Sequence, residues 1–178
     1  AIITVHTSEN VPENDDTIAA HGERPTHLLD VTGILDLTPV LAHGVHLNEA
    51  ERLLIAAKGA HVAHCPGSNL KLASGAADLV QYREDGITVG LGSDGSSTSN
   101  DLDMFAVMRL AANLARLVRS DPAAITSTQI VRSATIDGAT ALGMADRIGS
   151  LEVGKEADVI SLALNQPHLV PVHDPFTT

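Results

Sequence analysis

Ile87-Thr88-Val89-Gly90-Leu91-Gly92-Ser93-Asp94-Gly95 is an aliphatic, β-branched run that lacks the 3.6-residue rhythm of a helix and stops at a carboxylate followed by glycine. It reads as a buried strand leaving into a turn. Three shorter runs have the same character: residues 2–6, Val40-Leu41-Ala42-His43 and Ala60-His61-Val62-Ala63-His64. The four expected strands end at His6, His43, His64 and Asp94. Between them lie stretches with helical punctuation. An acidic start from Glu13 to Asp16 follows Pro12, and a second helical piece covers 26–32. Asn48 and Glu51 form a capping box for a helix closed by Gly59. Further helices are expected over 76–85, closed by Gly86, over 102–118, and from Thr126 or Ser127 to Leu142, closed by Gly143. The second of these places Met104, Val107, Met108, Ala111 and Ala115 on one face.

Strand–helix alternation predicts βα units and a parallel sheet. The strand ends recur at a mean spacing close to the roughly 31 residues per unit of a ~250-residue (β/α)8 barrel. Four units cannot close a barrel. The expected fold is therefore α/β, the C-terminal half of a (β/α)8 TIM-type barrel over residues 1–145. After Gly143 the rhythm stops. Ile148 to Ile160 is turn-rich and leads into one strand, so 146–178 is expected to begin a small β-sandwich domain. The chain opens on Ala1-Ile2-Ile3-Thr4-Val5 without Met, which reads as an entry in mid-barrel with an upstream half to be expected.

Composition narrows the function classes. The 178 residues are 44% hydrophobic and 19% charged, a globular profile. Aromatics make up 2% with no Trp, which leaves no stacking platform for single-stranded nucleic acid. A net charge of −11 repels phosphate backbones and anionic lipid. Nucleic acid and membrane are thus excluded as expected partners, and a small-molecule substrate remains. The single cysteine, Cys65, allows no internal disulfide. A reducing, cytoplasmic setting is the expectation, and aliphatic barrel helices suit a homo-oligomer.

In a barrel of this type the active site lies at the C-terminal ends of the strands. Here those ends carry His, His, His and Asp, all metal-competent groups. Each has a plainer alternative: a hydrogen-bonded strand-end histidine, or an Asx turn at Asp94-Gly95. Glu9, just past His6, could fold back to the same mouth as a proton shuttle, or assist the start of the next helix. There is no His-Glu-x-x-His and no Pro-Cys-x-x-Cys, which excludes the zincin and cytidine-deaminase types of zinc site. No phosphate-binding glycine loop is present.

Five segments occur in order: His6-Thr7-Ser8-Glu9, Leu41-Ala42-His43-Gly44-Val45-His46-Leu47, Ala63-His64-Cys65-Pro66-Gly67-Ser68-Asn69-Leu70-Lys71-Leu72, Gly90-Leu91-Gly92-Ser93-Asp94-Gly95 and Gly149-Ser150-Leu151-Glu152-Val153-Gly154-Lys155-Glu156-Ala157-Asp158. Together they resemble the amidohydrolase superfamily, closest to its 5-methylthioadenosine/S-adenosylhomocysteine deaminase and chlorohydrolase group. Residues 68–75 and the tail Gln166-Pro167-His168-Leu169 favour the methylthioadenosine branch over guanine deaminases. The resemblance implies a metal-dependent hydrolase that removes an amino group from a purine-like ring. The alternatives are a guanine or 8-oxoguanine deaminase, a triazine-type chlorohydrolase, and, from another class, a metal-free barrel acting as a binding module. It implies one divalent metal, zinc first, with Fe or Mn also suited. His6 and Asp94 would be metal ligands, with His6 ending strand five and Asp94 ending strand eight. Glu9 would contact the substrate ring and move protons. His43, ending strand six, would orient the attacking water. Asp94 would also bind substrate and take the water's proton. The family's His-x-His ligand pair is absent from these residues, and His46, His61 and His64 match no catalytic position.

Overall fold

The computed structural model describes residues 2–167 and 169–174. Four parallel strands, β1 (Thr4–Thr7), β2 (Val40–His43), β3 (His61–His64) and β4 (Thr88–Leu91), lie side by side in sequence order. Such an order needs a crossover between each pair. These are supplied by α1 (Val11–His21), α2 (Pro25–Val31) and a 3-10 turn at Leu35–Leu37, then α3 (Glu49–Lys58), then α4 (Pro66–Lys71) and α5 (Leu79–Glu84). After β4 come α6 (Ser96–Ser99), α7 (Met104–Arg119), α8 (Ser127–Ala134) and α9 (Ile136–Ala141). All four expected strands form, with ends within two or three residues of the expected ones.

The register places Val5, Leu41, Val62 and Val89 in one row across the sheet. The last three are fully buried and join Ile55, Leu79 and Tyr82 from the crossover helices, and Ala111, Ala115 and Ile130 from α7 and α8, in one core cluster. Burying each such side chain stabilises the fold by about 1.5–3 kcal/mol. At β1 the alternate row is open: Thr4 and His6 are exposed. Strand ends are also tied to the loops that follow. Gly44 N–H donates to Thr7 O and His46 N–H to Ser8 O, while Gly92 N–H donates to His64 O.

Local rules account for several helix ends. Asn48 and Glu51 form the expected capping box on α3, and Gly59 closes it at φ 67°. Asn10 and Asp78 cap α1 and α5 through their side chains. The latter cap starts α5 at Leu79, short of the expected 76. The helix expected over 126–142 is broken. At Thr135 the backbone leaves helical space (φ −127°, ψ −99°), giving α8 and α9. The Thr135 hydroxyl donates back to Val131 O, a bond that weakens helix continuation. Arg83 from α5 bridges the break, donating to Ser133 Oγ and Asp137 Oδ2. Gly90 lets this corner approach the sheet, since a Cβ there would lie 3.1 Å from Gly138 Cα.

The strand expected to end at Ile160 is not formed among the described residues, where 151–164 carries turns and no strand. Val153, Val159 and Ile160 are exposed, and an extended segment becomes a strand only with a neighbour for its backbone groups. His168 of the tail motif lies outside the described residues. Among those described, no helix is long and apolar enough to cross a membrane.

Arg52 of α3 and Asp85 at the end of α5 pair at 2.6 Å with both side chains largely covered. Burial pulls the Asp85 carboxyl up, but hydrogen bonds from Arg52 and Gln81 outweigh it and hold it below 3.8. A depressed folded-state value means stability that is present above the unfolded value and lost as pH falls through the folded one. Asp85→Asn should cost about 1 kcal/mol at pH 7. Thermal melts at descending pH should show the gap to the unaltered protein closing below 3.8.

Candidate metal centre

Three strand ends carry the centre. His6 sits one residue before the end of β1, His43 ends β2, and Asp94 lies three residues past β4. His43 and Asp94 have positive φ, 70° and 59°, as does Ser8 beside His6 at 49°. Residues other than glycine rarely adopt this region, and when they do it is concentrated at functional sites.

His6, His43 and Asp94 each offer a ligand atom, and all three atoms lie within 4.8 Å of one another. The two imidazoles stack with centroids 5.3 Å apart. Two nitrogens and a carboxylate oxygen suit zinc, whose bonds to such donors are about 2.0–2.2 Å. Donors on one ion therefore stand within roughly 4.4 Å of each other, close to the separation here. The donor set fits a divalent cation. His64, one strand over, is not part of it.

The four sequence-expected residues converge. His43 is buried, and its Nδ1 lies 2.8 Å from Asn69 Oδ1. Its Nε2 lies 3.8 Å from Glu9 Oε2. Glu9 Oε1 accepts from Ser74 Oγ at 3.2 Å. Helix-start duty near Glu9 falls to another residue: Glu13 accepts from Ser8 N–H at 2.8 Å and from Glu9 N–H at 2.7 Å. Glu9 is thus free to face His43. Asp94 does take part in a local turn, accepting from Thr98 Oγ1 at 2.7 Å. Burial works to raise its carboxyl, while hydrogen bonds from Thr98 and the Gly95 backbone more than offset that and keep it below its ordinary value.

Two neighbours are electrically quiet. Burial, helped by nearby His43, pushes His64 down to about 4, so it stays neutral. Burial and then Asp94 push Cys65 up to about 12, so it stays a thiol.

Sequence reading missed Asn69, Ser74, Thr98 and Glu13 as site residues. Asn69 and Ser74 lie inside the 68–75 stretch that carried the family resemblance, but no spacing rule ties them to His43 or Glu9. Their partners are 26 and 65 residues away. Glu13, three residues past the Asn10 cap, carried the only local signal.

A family model described as the amidohydrolase family matches residues 1–177. The chain belongs to the amidohydrolase family. A 5-methylthioadenosine/S-adenosylhomocysteine deaminase of Desulforudis audaxviator is 44% identical over 170 residues, 96% of this chain and 40% of that protein. The crystal structure of an adenosine deaminase from Xanthomonas campestris with bound zinc superposes at TM-score 0.93, with 41% identity over 97% of this chain and 39% of that one. An atrazine chlorohydrolase from Arthrobacter aurescens complexed with zinc follows at TM-score 0.91 and 30% identity, covering 98% of this chain and 38% of that one. The chain spans about 40% of the length of the curated relatives it matches. Amidohydrolase membership and the α/β parallel sheet agree with the resemblance read from the five motifs.

Removing the Glu13 carboxylate should loosen the segment that carries Glu9. Hydrogen bonds to a charged acceptor contribute about 1.5–3 kcal/mol. Glu13→Ala should therefore speed amide hydrogen exchange at Ser8 and Glu9 by at least ~10-fold, while amides in β3 stay protected.

Proposed function

We propose that this chain is the second half, strands five to eight, of an amidohydrolase barrel that hydrolytically deaminates a purine-like heterocycle of the 5-methylthioadenosine/S-adenosylhomocysteine type. Residues 1–145 form that half, and 146–178 begin a small β domain. Two further metal ligands, a His-x-His pair, come from outside these 178 residues. The observation that carries the reading is the convergence of His6, His43 and Asp94 within 4.8 Å, with Glu9 beside His43. The naming of relatives as deaminases at 44% identity supports the substrate class, and the zinc in two similar structures supports zinc. A small-molecule substrate, a cytoplasmic setting and self-association belong to the same proposal.

His6 and Asp94 would hold the metal. When bound, it would supply Lewis acidity that makes a nearby water easier to deprotonate. Asp94 takes the proton that the water loses. His43 accepts a hydrogen bond from that water through Nε2 and aims its oxygen at the ring carbon bearing the amino group. Glu9 delivers a proton to the adjacent ring nitrogen, so the carbon accepts the new C–O bond. The C–N bond then breaks, ammonia leaves with the proton held by Asp94, the hydroxyl proton of the adduct returns to Glu9, and the ring retains oxygen as a carbonyl.

A second reading is favoured by the chlorohydrolase likeness at 30% identity: the same groups would expel chloride from a chlorinated triazine. In the natural protein that contains this chain, ammonia and chloride release are to be followed over methylthioadenosine, adenosylhomocysteine, guanine and a chlorotriazine. Ammonia from the first two is expected. Glu9→Gln should cut that rate by about 10²–10⁴-fold with metal content unchanged. Asp94→Asn should lose both activity and bound metal. Full activity and undiminished metal in Asp94→Asn would remove the basis for the mechanism.

A further inference from the structure

We propose that Asn69 is a positioning residue that fixes His43 as the Nδ1–H tautomer, leaving the Nε2 lone pair directed at the reaction centre. The inference deepens the role given to His43 above and rests on that reading.

The geometry is one-sided. Asn69 Oδ1 lies 2.8 Å from His43 Nδ1, and an amide oxygen only accepts, so the ring nitrogen must donate. In a neutral imidazole the proton on Nδ1 leaves Nε2 bare. Nε2 is the nitrogen that faces Glu9 Oε2 at 3.8 Å. Both residues are shut away from solvent, Asn69 at 0% and His43 at 1% exposure, so no bulk water competes for the bond.

Asn69 is itself held by backbone. Its N–H donates to Cys65 O in the short helix α4 that Pro66 opens, and its C=O accepts from Ser74 N–H. Among the described residues, its Nδ2 has no partner. A buried unpaired amide N–H costs about 1–3 kcal/mol. Leucine at this position would avoid that cost, so the amide is retained for its oxygen. Aspartate would also accept from Nδ1, but it would add a second charge to the site. Asparagine sets the tautomer without charge.

The experiment uses the natural metal-loaded protein, its Asn69→Leu variant and its Asn69→Asp variant. The first readout is long-range proton–nitrogen NMR on histidine-labelled protein, which distinguishes the two tautomers at His43. Nδ1–H is expected in the unaltered protein, with a tautomer mixture in Asn69→Leu. The second is kinetic. Loss of a bond that orients a histidine typically costs 10–100-fold in activity. Asn69→Leu should lower kcat by about 10–100-fold with KM within roughly twofold, and with metal content and melting temperature kept. Asn69→Asp should restore the Nδ1–H signal and part of kcat. An Nε2–H tautomer in the unaltered protein overturns the proposal. So does an unchanged kcat in Asn69→Leu, or a loss that follows falling metal content or stability in both variants. The NMR arm needs no substrate, so a protein with the expected tautomer but no deamination counts against the proposed reaction alone.

Discussion

The left-handed backbone at His43 is the constraint on which the rest of the site depends. A residue with a Cβ held at φ 70° costs of order 1–3 kcal/mol. The surroundings over-determine it. Gly44, next in the chain, donates its N–H to Thr7 O on β1, and its carbonyl accepts from the buried Tyr82 hydroxyl below. The imidazole is gripped by Asn69 on one side and stacked on His6 on the other. Ser8 and Asp94, also at positive φ, are pinned in the same way, by Glu13 and by Thr98. Strain at three neighbouring strand ends is how one mouth can collect ligand atoms that an unbroken strand alternation would send to opposite faces.

Charge at the mouth is arranged for one cation. Asp94 is held ionised by hydrogen bonds that outweigh its burial. His64 lies close enough for His43 to affect it, yet it is kept neutral and adds no repulsion. Its two ring nitrogens have no partner among the described residues, which matches a side chain held neutral near pH 7. Cys65 is kept a thiol, with its Sγ donating weakly to Ala63 O at 3.5 Å. A thiolate there would be a competing soft ligand.

What was legible in the sequence is what short-range physics decides. Each strand is a β-branched run whose burial needs no knowledge of the rest of the chain. The Asn48–Glu51 box closes within three residues. The convergence of His6 and Asp94 followed from one global rule, that parallel barrel strands present their C-terminal ends together. The helix break at Thr135 was not legible, because it depends on Arg83 reaching across from α5. The strand expected near Ile160 is not formed among the described residues, because strand identity depends on a partner edge that local pattern does not supply. Asn69 and Ser74 escaped because a hydrogen bond between residues 26 or 65 apart leaves no mark in local pattern.

The 68–75 stretch shows why a contiguous motif can matter without holding a ligand. It is the segment that touches both the β1 loop and the β2 end. Asn69 Oδ1 accepts a hydrogen bond from His43 Nδ1, Ser74 Oγ donates to Glu9, and Ser74 O meets His46 Nε2 at 2.6 Å. Gly75 makes the fit: at φ 124° with a would-be Cβ only 3.0 Å from Val45 Cγ1 and 3.3 Å from the His46 ring, a side chain there would push the loop off. A displacement of this segment would move the proton-bearing groups on two strands at once while leaving His6 and Asp94 in place. Under the proposed function, the strand ends would hold the cation, while one short brace after β3 would position the groups that move protons.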